Sequence, residues 1–73
     1  MGKLGNLSAK DVVKAFRRAG WQATTQVGSH LHLVKPGHRA HLSIPMHREI
    51  AVGTLRSLIR DAGMTVDEFL ALL

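Results

Sequence analysis

Gly28-Ser29-His30 lies where one alternating stretch of the chain hands over to the next, and it holds the residues best suited to chemistry. Histidine is the side chain whose unperturbed pKa lies nearest neutral pH. Gly28 can take a positive φ without steric cost, so the chain can bend sharply and approach a phosphodiester, with backbone donors and Ser29 alongside. An imidazole held out at such a bend can remove the proton from a ribose 2′-hydroxyl and make it the nucleophile toward its own 3′-phosphate. No metal is needed for that route. General acid–base action of this kind supplies roughly 10²- to 10⁴-fold, and lysine and arginine stabilise the charge that develops. On spacing alone, a hydrogen-bonded turn histidine without a chemical role explains the tripeptide nearly as well.

Two further histidines bear on the site. His30 and His32 share one face of a strand, and His41 on the adjacent antiparallel strand comes near them if the registers match. Three imidazoles can ligate a divalent metal, but His-x-His on a strand is a weak signal, and no carboxylate in this region completes or orients such a site. The simpler reading makes His32 and His41 polar residues on a wet sheet face. Neither a metal nor a small-molecule cofactor is therefore expected.

The body that carries these residues is strongly basic. Ten Lys and Arg against five Asp and Glu give a formal charge of +5 on 73 residues, which favours a polyanionic partner such as RNA, with an acidic protein second. Only Phe16, Trp21 and Phe69 are aromatic, so stacking of successive bases on aromatic platforms is poorly supported and phosphate contacts should dominate. The absence of cysteine excludes disulfides and thiolate metal sites. No apolar run approaches the roughly 20 residues of a membrane helix. Met1 to Lys10 lacks the apolar run of a secretory signal, so a cytoplasmic protein with no membrane association is expected. A chain of this length is expected to be one domain, residues 1–73, with a small core and no large cavity.

Periodicity supplies the scaffold. Ser8 with Asp11 has capping-box form, and Val12, Val13, Phe16 and Ala19 follow at helical spacing, which predicts a helix over about 9–19 ending at Gly20. Lys10, Lys14, Arg17 and Arg18 fall off that apolar stripe and read first as a solvated face, with phosphate contact the lesser alternative. Trp21, Ala23, Thr25 and Val27 alternate with polar residues as a strand, and Gly28 marks its turn. Leu31 and Leu33 oppose His30, His32 and Val34 on a second strand, and Lys35-Pro36-Gly37-His38 reads as a second turn. Ala40, Leu42 and Ile44 form the inner face of a third strand, with His41 and Ser43 outward, up to Pro45.

Met46 to Val52 reads as a loop, after which Gly53-Thr54 opens a helix with Thr54 as its N-cap, Leu55, Leu58, Ile59 and Ala62 buried, and Gly63 closing it. Thr65 with Glu68 is a second capping box before a short final helix carrying Phe69, Leu70 and Leu73. The expected fold is therefore α+β: an α-β-β-β-α order with a short C-terminal helix, and a three-stranded antiparallel sheet covered on one face by helices. That order resembles a double-stranded-RNA-binding domain. Arg48, Arg56 and Arg60 lie near the second main helix, with Arg56 and Arg60 one turn apart on one side, either solvated or facing phosphate.

Four stretches, in order and at these spacings, carry a family likeness: Leu7-Ser8, Ala19-Gly20-Trp21 ahead of Gly28-Ser29-His30, Ile44-Pro45-Met46-His47, and Gly53-Thr54-Leu55-Arg56-Ser57-Leu58-Ile59-Arg60-Asp61-Ala62-Gly63. From about Leu4 to Leu73 the chain resembles the HicA toxin family of mRNA interferases. The resemblance implies a double-stranded-RNA-binding type of fold, metal-independent cleavage of mRNA with His30 as general acid or base, and a HicB-type antitoxin that covers the active surface. Gly28, Ser29, Arg48, Arg56 and Arg60 are the residues expected to hold RNA. Two positions depart from the pattern: Val27 replaces a basic residue common before the Gly-Ser-His motif, and Val52 replaces a common lysine before Gly-Thr. The runner-up reading is a double-stranded-RNA-binding module without catalysis, in which His30 is only a turn residue.

Overall fold

Three helices and three strands follow one another as α1 (Ala9–Arg18), β1 (Gln22–Val27), β2 (His30–Val34), β3 (Leu42–Pro45), α2 (Val52–Asp61) and α3 (Val66–Leu70) in a computed structural model that describes residues 4–73. The expectation of one domain over 1–73 includes Met1, Gly2 and Lys3, which lie outside the described residues. The strands form one antiparallel meander, β1-β2-β3, so the fold is α+β as the periodicity requires.

Both capping boxes form. The Ser8 hydroxyl accepts from the Asp11 N–H at 3.2 Å, and the Asp11 carboxylate accepts from the Ser8 N–H at 3.4 Å. Thr65 and Glu68 repeat the exchange at 3.1 and 2.8 Å. Each box satisfies backbone donors that the first turn of a helix leaves unpaired. The helix α1 ends at Arg18 with Ala19 as its cap, one residue short of the expected end.

The opening of α2 differs from the expectation. Thr54 is not its N-cap: the helix starts at Val52, with Ala51 at the cap position and no side chain bonding there. Tertiary anchoring sets this start instead. Ile50 is buried and its N–H donates to the Leu7 carbonyl at 2.9 Å, so the chain leaves the core already aimed into a first turn that Leu55 N–H closes on Ala51 O at 3.0 Å. Val52 therefore belongs to the helix and not to the preceding loop.

The strands depart from simple alternation in two places. All six residues of β1 are exposed, so Ala23, Thr25 and Val27 do not form a buried face; Trp21, just outside the strand, is the residue that enters the core. β1 is an edge strand, its pairing with β2 is interrupted by a bulge between Ala23 and Gln26, and α1 and α2 pack on β3 at the other side of the sheet. A bulge increases local twist and turns an edge away from a flat neighbour. Ala40 and His41 fall outside β3, because after the Pro36-Gly37 turn the Ala40 N–H donates to His38 Nδ1 at 3.2 Å and a local bond replaces the ladder. Pro45 is the last residue of β3 and pairs with His30; an edge position tolerates its missing donor.

The core gathers Phe16, Trp21, Leu33, Leu42, Ile44, Leu55, Ile59 and Phe69, with Phe16 at the centre: its ring lies 5.0 Å from Phe69 and 6.5 Å from Trp21. Burying each such side chain contributes about 1.5–3 kcal/mol. Leu73 does not join them. It is exposed, and Leu72 packs against the core in its place because the chain tightens after α3, with Leu72 N–H donating to Phe69 O at 2.9 Å.

Candidate active site at the β1–β2 hairpin

Pairing of Val27 with His30 closes a two-residue turn made of Gly28 and Ser29. Gly28 has φ +59° and Ser29 is not in the left-handed region, which is the II′ pattern, the hairpin turn whose twist matches its strands and whose first residue is glycine. A Cβ at Gly28 would meet nothing within 4 Å, so the glycine is required by its dihedral and not by crowding. The Gln26 amide donates to the Gly28 carbonyl at 3.3 Å. Gly28, Ser29 and His30 are all exposed, and the imidazole stands clear of the core.

The turn is tied to the other edge strand of the sheet, at the end where β3 finishes. Met46 N–H donates to Ser29 O at 2.6 Å, one step beyond the His30–Pro45 pair, so the segment after β3 runs beside the Gly-Ser-His bend. His47 O in turn accepts from Ala9 N–H at 3.1 Å, which brings the start of α1 to the same place. Arg48 lies there too, lining a shallow depression with Ala9, Lys10, Met46 and His47.

Other expected contributors stand apart. Arg56 and Arg60 share one face of α2, as their spacing requires, but they line a different depression, beside Met64, Thr65 and Val66. Arg60 Nε lies 3.9 Å from Asp61 Oδ1, a pairing in solvent that contributes little. His32 is half-buried opposite Ser43, and His41 lies beyond the end of the β2–β3 ladder. Among the described residues no three or more His, Cys, Asp or Glu side chains gather as a metal site would require, so the three histidines do not form a cluster.

The helix face that the sequence predicts as merely solvated is part of a groove. Lys10, Lys14, Arg17 and Arg18 line an open groove of ≈ 520 Å³ together with Val13 and Met46, directly beside the hairpin end of the sheet. Their i, i+4, i+7, i+8 spacing was visible in the chain; the contribution of Met46 from a distant segment was not.

The chain matches the family model described as the HicA toxin of bacterial toxin–antitoxin systems over residues 9–64. It belongs to the HicA toxin family. No curated protein matches it at a significant level. The matched span of this HicA toxin includes the whole hairpin, Met46 to Arg48 and all of α2. Val27 and Val52, where the resemblance set a basic residue, are both on the surface: Val27 is 65% exposed at the base of the turn and Val52 is 41% exposed at the start of α2. Neither belongs to the buried core. Among the described residues no helix is long and apolar enough to cross a membrane.

Proposed function

We propose that this toxin is an endoribonuclease that cleaves mRNA in the cytoplasm without a metal, with His30 as general acid or base, and that a HicB-type antitoxin neutralises it. We read residues 1–73 as one such domain. The observation that carries the proposal is the exposed imidazole of His30, two residues after the positive-φ Gly28 of the hairpin turn, in a member of a toxin family. A group that must reach a ribose has to be held out from the core on a rigid bend, and a II′ hairpin does so.

In the reaction, a ring nitrogen of His30 accepts the proton of the 2′-hydroxyl. The 2′-oxygen attacks the adjacent phosphorus, the bond from phosphorus to the 5′-oxygen breaks, and that oxygen takes a proton from solvent water and leaves as a 5′-hydroxyl. The other product ends in a 2′,3′-cyclic phosphate. Backbone donors at Gly28 and Ser29 and the Arg48 guanidinium face the charge that grows on the phosphate, while Arg56 and Arg60 hold a more distant part of the strand.

The test is His30→Ala. Growth arrest on expression is expected to vanish with the circular dichroism spectrum unchanged; persistent arrest removes His30 from the mechanism. Purified chain should cut single-stranded mRNA in the presence of a chelator. Intact RNA that is nonetheless bound indicates a binding module instead, and cleavage abolished by the chelator indicates a metal nuclease.

A further inference from the structure

We infer that the groove along α1 is the seat of an acidic amphipathic segment of the antitoxin, which places an apolar side chain over Val13 and Met46 and carboxylates against Lys10, Lys14, Arg17 and Arg18. The inference rests on the chain's membership of a toxin–antitoxin family; the blockade it implies at His30 rests on the proposed cleavage.

The groove has the composition of a protein-docking surface. Val13 and Met46 are partly buried against the core and form its floor, while the four cations are exposed and form its walls. None of the four is neutralised internally, since the one ion pair among the described residues is Arg60 with Asp61. Arg18 is already held in place by donating to the Leu72 carbonyl at 2.7 Å, so one wall is pre-ordered for a partner.

The floor favours protein over RNA. A sugar–phosphate strand satisfies the cations but brings no apolar side chain to displace water from Val13 and Met46, and the groove has no aromatic ring on which a base could stack. An amphipathic peptide meets both requirements, and methionine adapts readily to an apolar anchor.

Position gives the contact its consequence. Met46 is bonded through its backbone to Ser29, next to the strand pair formed by Pro45 and His30. A segment lying on Met46 therefore ends at the hairpin bend and stands in the way of an RNA strand approaching the imidazole. Inhibition then needs no change in the fold of the toxin.

The experiment titrates the full chain with the antitoxin of its own pair by calorimetry and, separately, measures RNA cleavage by the free toxin. Lys14→Gln with Arg17→Gln should weaken antitoxin binding about 30-fold or more by removing two paired charges. Met46→Ser should weaken it about tenfold by removing the anchor contact. Thr54→Glu with Ser57→Glu on α2 makes the same change in net charge and should leave the affinity unaltered. Retained affinity in the groove variants, or equal weakening by the α2 variant, overturns the proposal. So does loss of RNA retention by the groove variants with antitoxin binding intact, which assigns the groove to RNA. If the free toxin cuts no RNA at all, the cleavage proposal fails while the calorimetry still decides the groove.

Discussion

Met46 N–H donates to the Ser29 carbonyl at 2.6 Å, and this bond joins the Gly-Ser-His bend to the segment that follows β3. Through it the bend is joined to the segment carrying Met46, which lines one depression with Arg48 and the start of α1. The bend is thus supported from both of its sides: by β1 through the turn itself, and by the Met46 amide.

Gly28→Ala isolates the role of the bend. A Cβ there meets no neighbour, so the cost is that of a left-handed φ alone, about 1–2 kcal/mol. Chemical denaturation should show that loss, and cleavage should fall more than stability does, because relaxation of the turn moves His30. An unaltered denaturation midpoint would mean that the turn is not left-handed at Gly28.

Arg48 and the α2 arginines should separate in their effects. Arg48→Ala is expected to lower the cleavage rate at saturating RNA, since Arg48 lines a depression with Met46, whose amide is bonded to the Ser29 carbonyl. Arg56→Ala with Arg60→Ala should instead weaken RNA retention and reduce its salt dependence, with a slope shallower by about one phosphate contact per arginine. Single-turnover cleavage and a salt titration of binding distinguish the two outcomes; identical profiles would place all three arginines on one patch.

Val27→Lys should strengthen RNA binding. Val27 is exposed beside the turn and its removal leaves no cavity. A lysine there adds one phosphate contact, which should steepen the dependence of binding on salt by about one unit of slope. An unchanged slope would show that RNA does not pass that side of the hairpin.

The helix caps give a stability test. Ser8→Ala and Thr65→Ala each remove a capping box and should cost about 1 kcal/mol. Thr54→Ala should stay within about 0.5 kcal/mol, because Thr54 lies inside α2 and caps nothing. A cost at Thr54 equal to that at Ser8 would restore it as the cap.

What the chain determined by itself was local: the two capping boxes, the helical stripes, the Pro36-Gly37 turn and the glycine bend at Gly28 all rest on neighbours within a few residues, and all are present. The exposure of His30 follows from that bend. Tertiary structure decided the rest. Thr54 lost the cap because Ile50, bonded to Leu7, sets where α2 begins, and β1 lost its buried face because the helices cover β3 and leave β1 at the edge. The groove of Lys10, Lys14 and Met46 combines α1 with the segment after β3, which backbone bonds to Ser29 and Ala9 hold in place. Periodicity records which side of an element is apolar; which neighbour covers that side, and which distant cation ends beside a given bend, is settled by packing between elements far apart in the chain.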